Sequence, residues 1–153
     1  MDIQVASAVG SVPVDHDIQT WIEDAVNEVG CDRDREVSVR IVDEVESKVL
    51  NHQYRAIDKA TNVLSFPADD DAPGFLPPEE PVALGDIVIC GPIVEREAAQ
   101  QRKTKADHWA HLLVHGTLHL LGYDHEVDAE ALEMEAIEIR ILGRRGVGDP
   151  YAG

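Results

Sequence analysis

Three histidines stand at fixed offsets in the stretch His115-Gly116-Thr117-Leu118-His119-Leu120-Leu121-Gly122-Tyr123-Asp124-His125. The first two are four residues apart, which on a helix puts both rings on one face, where they can converge on a single point. Gly122 follows three residues after His119. It can adopt the left-handed conformation that ends a helix without Cβ strain, and the reversed chain then carries His125 back toward the same point. Three neutral imidazoles with an open fourth position are how a catalytic zinc is held, whereas structural zinc sites are closed by four ligands and lean on cysteine. Cys31 and Cys90 are the two cysteines of the chain and have no CxxC spacing, so they close no such site. Each reads as a small thiol in or near the core. A lone His-x3-His pair is common on polar helix faces, and the glycine and third histidine are what make this triad specific.

Two further histidines, His108 and His111, precede His115 by two turns and one turn on nearly the same stripe. They read as groups that support the ligands from behind or as polar surface. Asp124 is the expected carboxylate to orient a ligand imidazole, although in a turn it can equally bond backbone amides. The spacing also matches the zinc frame of metzincin proteases, HExxHxxGxxH. In that frame the residue after the first histidine is a glutamate acting as general base, and here it is Gly116, which cannot take a proton. Peptidase chemistry would have to recruit Asp124, Glu126 or Glu130 instead.

The elements that must carry these residues follow from periodicity. Ile3 to Val5 reads as a short strand. Asp15 to Val29 places Ile18, Trp21, Ile22, Ala25, Val26 and Val29 at helical spacing and closes at Gly30. Glu36 to Val42 alternates apolar and polar residues as a half-buried strand does, and a helix over about Glu44 to Tyr54 follows. Val63 to Pro67 and Gly85 to Cys90 read as strands, the second stopped by Gly91-Pro92. Ala68 to Pro81, acidic and holding four of the eight prolines, reads as a surface loop. From Ile93 one helix is expected to run to Gly122, with Trp109, Leu112, Leu113, Gly116 and Leu120 on its apolar face. A last helix, Ala129 to Leu142, is expected to bury Ala129, Leu132, Ala136, Ile139 and Leu142, with acids opposite, and to end at Gly143-Arg144-Arg145-Gly146. The sum is an α+β domain with a small mixed sheet of about four strands, about five helices, and the zinc site in a cleft.

A chain of 153 residues with 44% hydrophobic content supports one core, so residues 1–153 read as a single domain. The most apolar stretch, Trp109 to Gly122, is interrupted by His111, His115 and His119 and falls short of a membrane span. The N-terminus shows no secretory signal, which points to the cytoplasm. The 30 acidic against 13 basic side chains give a formal net charge of −17, a composition that repels polyanions at long range. Composition alone therefore argues against a nucleic-acid protein, and only local motifs argue for one.

Those motifs exist. The stretch HGTLHLLGYDH resembles the signature of the YbeY family almost residue for residue, and the likeness continues upstream in family order. It takes in Leu50-Asn51, Tyr54-Arg55, the run from Asp58 to Pro67 and Leu84-Gly85-Asp86-Ile87, so it covers about Val37 to Ile141. The resemblance implies a mixed α+β domain with one zinc ion held by His115, His119 and His125, and Arg55 as the catalytic basic residue. It also implies a single-strand-specific endoribonuclease acting in ribosomal RNA maturation, chiefly at the small-subunit RNA 3′ end, and in ribosome quality control. The implied partners are ribosomal RNA, the small subunit and ribosome-assembly proteins. Arg55 suits the role, since a guanidinium stays charged and presents a planar fork to phosphate oxygens. On its own residues Arg55 reads equally as a surface arginine paired with Asp58. Lys59, Arg40 and Lys48 could extend a positive lane or be solvated, and Ser65 and Phe66 could line the cleft or simply finish a strand. A ribosome-assembly factor with a mainly structural zinc is the alternative function.

Overall fold

The computed structural model describes residues 2–5, 12–29, 35–68, 82–123 and 128–151. In chain order the elements are β1 (Asp2–Val5), α1 (Asp15–Val29), β2 (Arg35–Val42), α2 (Glu44–Arg55), β3 (Val63–Pro67), β4 (Val82–Cys90), α3 (Gly91–Gln100), α4 (Lys105–Leu120) and α5 (Asp128–Gly143). The sheet order is β1-β2-β4-β3, with β1, β2 and β4 parallel and β3 antiparallel to β4, so the sheet is mixed as expected. The chain is an α+β fold.

Alternation along the strands sorts the two faces of the sheet. Val37, Val39, Ile41, Ile87 and Ile89 point to one side, where α1, α3 and α4 cover them with Ile18, Ile22, Val94, Trp109, Leu112 and Leu113. The opposite side holds a smaller cluster of Val42, Leu64, Val88 and Cys90, packed by Leu50 of α2 and by Phe66 and Ile93. Cys90 is the small buried thiol the sequence suggests, and burial pushes its pKa up. Cys31 lies outside the described residues.

Three expectations need correction. The single helix from Ile93 to Gly122 is two helices: Arg102 takes φ 57, and Thr104 caps α4 by accepting a hydrogen bond from the Asp107 amide at 3.1 Å. Gly91-Pro92 does not merely stop β4. It opens α3, because proline at the first helical turn gives up no amide the helix needs. In α5 the buried stripe is Met134, Ile137, Glu138, Ile141 and Leu142, while Ala129, Leu132, Ala136 and Ile139 are exposed. That stripe has helical spacing, but an acid sits in its middle. The reason lies in the site that α5 packs against.

Candidate metal centre

Helix α4 is clamped on two sides. Trp109, Leu112, Leu113 and Leu120 face the sheet, and Ala110, Val114 and Leu118 pack with α1 and α5. His111, His115 and His119 are left on a half-buried stripe between these contacts. Gly116 makes the close approach to the sheet possible, because a Cβ there would sit 3.2 Å from Ser65 Oγ and 3.4 Å from Ile87. Ser65 Oγ donates to the Gly116 carbonyl at 3.0 Å, tying β3 to the middle of the histidine run. A glutamate at 116, as the protease frame requires, would have to push this contact apart.

The structure brings His115 and His119 together as the spacing predicts. Their Nε2 atoms are 3.1 Å apart and the rings lie edge to face at 4.6 Å. Two nitrogens bound to one tetrahedral zinc at ~2.05 Å would stand about 3.3 Å apart, so the pair is spaced to share one metal. Gly122 takes φ 100 and its amide donates to the His119 carbonyl at 3.1 Å, which ends α4 and turns the chain as expected. His125, with Asp124 and Glu126, lies outside the described residues.

Glu138 is the carboxylate behind this pair, and sequence reasoning placed it on the exposed side of α5. It is fully buried, and His115 Nδ1 donates to its Oε1 at 2.5 Å. The Tyr151 hydroxyl donates to Oε2, and His111 Nε2 is 3.7 Å from the same oxygen. Burial alone would raise the Glu138 pKa, but the nearby His111 imidazole and the hydrogen bonds from His115 and Tyr151 overcome it and bring the carboxyl down to about 2. Tyr151 is shifted the other way, with burial first and the Glu138 carboxylate second keeping its hydroxyl protonated. A carboxylate can only accept, so the His115 proton sits on Nδ1 and the Nε2 lone pair faces His119.

His111, His115 and Glu138 also lie close enough to form a ligand cluster of their own, with candidate atoms within 4.8 Å of one another. The 2.5 Å contact joins Glu138 directly to His115 Nδ1, the arrangement by which a carboxylate orients an imidazole whose other nitrogen faces a metal. The donor set of two imidazole Nε2 atoms, one backed by a carboxylate, fits a zinc ion chemically.

Farther along the stripe, His108 is buried and pairs through Nε2 with Glu97 at 3.0 Å, while Asn62 donates to the same carboxylate at 3.1 Å. Burial lowers the His108 pKa against the pull of Glu97. This histidine supports the wall of a cavity of about 510 Å³ lined also by His111, Leu112 and Tyr151.

Arg55 is the last residue of α2 and exposed. It forms no hydrogen bond or ion pair among the described residues, and Asp58, its expected surface partner, is 3.8 Å from Lys48 instead. Next to it Tyr54 packs its ring against Phe66 of β3 at a 60° tilt, centroids 4.8 Å apart, and Ser65 of the same strand bonds α4, so α2 and α4 flank the same edge strand. Among the described residues, Arg55 makes no contact with His115 or His119. Of the suggested positive lane, Arg40 is held by Glu46 through two bonds of 2.6 and 3.0 Å, and Lys59 is exposed.

Known proteins resemble the chain throughout its length. A family model described as Endoribonuclease YbeY matches residues 4–146. A protein named Endoribonuclease YbeY from Halorhodospira halophila is 56% identical over 144 residues, 94% of this chain and 91% of that protein. One of the same name from Stutzerimonas stutzeri is 52% identical over 99% of this chain and 91% of its own. Among solved structures, the solution structure of a Thermotoga maritima protein superposes with a TM-score of 0.55 and 26% identity over 99% of both chains. The histidine frame, the fold around it and these matches agree: the chain belongs to the Endoribonuclease YbeY family.

Proposed function

We propose that the 153 residues act as one domain, a zinc-dependent endoribonuclease that cuts single-stranded segments of ribosomal RNA precursors in the cytoplasm. In this reading it works at the small-subunit RNA 3′ end, in company with the small subunit and ribosome-assembly proteins, and serves ribosome quality control. His115, His119 and His125 hold one zinc ion. The observation that carries the metal assignment is the 3.1 Å approach of His115 and His119 Nε2, with the proton of His115 held on the far side by Glu138. The family carries the RNA assignment. None of the helices among the described residues is long and apolar enough to cross a membrane.

A zinc ion at this position supplies Lewis-acid stabilisation for a phosphodiester whose negative charge grows during cleavage. The chain does the rest. Glu138 keeps the His115 proton at Nδ1, so the ring cannot turn its lone pair away. Arg55, which pairs with no carboxylate among the described residues, donates its planar fork to phosphate oxygens entering along the β3 edge. The ion pairs that occupy Arg40, Arg96, Arg140, Arg144 and Arg145 keep most other guanidiniums from competing for the strand.

The test is cleavage of a single-stranded RNA by zinc-loaded protein beside His115→Ala and Arg55→Lys proteins from parallel preparations. Cleavage by the wild type alone is expected. Equal cleavage in all three identifies a contaminating nuclease, and no cleavage in any, with zinc firmly bound, favours the assembly factor with a structural zinc.

A further inference from the structure

Beyond α5 the chain turns at Arg144 to Gly146 and folds back over the start of α4. Lys103 Nζ donates to the Pro150 carbonyl at 3.1 Å, His111 Nε2 lies 3.3 Å from the Tyr151 hydroxyl, and within the segment the Tyr151 amide donates to Asp149 Oδ1 at 2.8 Å. Tyr151, 42% exposed as a residue, packs its ring edge-on against His111 at 5.4 Å and delivers its hydroxyl to Glu138 Oε2. The other oxygen of the same carboxylate is the one that holds His115. The family match stops at residue 146, five residues before this tyrosine.

We propose that Tyr151 is a positioning residue for the metal centre: its hydroxyl pins one oxygen of Glu138 so that the other holds the His115 ring with Nε2 toward the metal. Without the hydroxyl, Oε2 keeps among the described residues only His111 at 3.7 Å, too long for a hydrogen bond, and the carboxyl group gains freedom to rotate away from His115. A histidine ring free to turn must be ordered when metal binds, and that cost appears as weaker affinity. The inference rests on the proposed function only in taking His115 as a metal ligand.

The experiment measures zinc affinity of the full chain by competition with a chromophoric chelator, for wild type, Tyr151→Phe, Glu138→Gln and the double variant. Melting of each metal-free protein is followed alongside. Removing the partner of a metal-ligating histidine costs ~10- to 100-fold in metal affinity, so Glu138→Gln should fall in that range and Tyr151→Phe by a smaller factor, roughly 3- to 10-fold. Phenylalanine keeps the ring packing and gives up one hydrogen bond, so the metal-free melting temperature of Tyr151→Phe should fall by only a few degrees and the protein should stay folded throughout the titration. The double variant should bind zinc no more weakly than Glu138→Gln alone, because Tyr151 acts through Glu138. In the zinc-loaded protein, the His115 Nδ1 proton resonance should shift in Tyr151→Phe, a readout that remains if Glu138→Gln does not fold.

Unchanged zinc affinity and an unmoved His115 resonance in Tyr151→Phe overturn the proposal. So does an equal loss of affinity on the Glu138→Gln background. Failure of the underlying reading looks different: wild-type protein would then bind no zinc, or His115→Ala would keep it.

Discussion

Replacing Ser47 with alanine should loosen the mount of Arg55 while leaving the histidines alone. Ser47 is buried on α2 and bonds twice to Thr61, its hydroxyl donating to the carbonyl at 2.8 Å and accepting from the amide at 2.9 Å. One turn later Asn51 donates to the Lys59 carbonyl at 2.7 Å. These contacts fasten the loop that leaves α2 at Ala56, where φ is 58, just after Arg55. At about 1 kcal/mol net per hydrogen bond, losing both should cost about 2 kcal/mol. For a chain of this length that is roughly 4–8 °C in melting temperature. Asn51→Ala should cost about 1 kcal/mol, and the double variant less than the sum, since both act on one loop. RNA turnover in Ser47→Ala should fall roughly tenfold as Arg55 loses its fixed position, with zinc content unchanged. Thermal melts, metal analysis and initial rates on a single-stranded RNA check this. A melt within 1 °C of wild type, or loss of zinc together with activity, would refute the reasoning.

Gly85→Ala should destabilise the fold by roughly 3 kcal/mol or more, because φ 146 suits only glycine and the new Cβ would lie 2.3 Å from the Phe66 carbonyl oxygen; urea unfolding measures it. Binding to naked RNA should show a shallow salt dependence. Arg55, Lys59, Arg102 and Lys103 are the cations without an ion pair among the described side chains, Lys103 being taken up by the Pro150 carbonyl, and about three phosphate contacts give a log–log slope of about −2 for a single strand. Fluorescence anisotropy between low and physiological salt reads the slope. The Glu46 carboxyl is held below its ordinary pKa, first by the hydrogen bond from Arg40. A depressed carboxylate adds stability above its unfolded pKa and loses it as pH falls through the folded one. The stability gap between wild type and Glu46→Gln should therefore be present at pH 7 and shrink as pH drops below about 4.

Much of this architecture was legible in local pattern. Val63–Pro67 and Asp15–Val29 stand where alternation and helical spacing put them, and the sheet-facing side of α4 is the one its leucines and Trp109 define. The break between α3 and α4 had a signal that was passed over: Thr104 followed three residues later by Asp107 is a capping pattern, but no glycine or proline marks the interruption. The phase of α5 was not recoverable locally. Two apolar stripes compete along it, and the one that is buried contains Glu138, a choice that makes sense only once His115, His111 and Tyr151 arrive from elsewhere to satisfy the charge. For the same reason the site was half legible. His115 and His119 follow from spacing, whereas Glu138 and Tyr151 are joined to them by tertiary contact alone.

Metal stoichiometry of the untagged protein, by elemental analysis of wild type and His119→Ala, tests the central claim most directly. One zinc per chain in the wild type and none in His119→Ala is the predicted result. No bound metal in the wild type would contradict it, as would a metal that survives loss of His119 and departs only with His111 or Glu138.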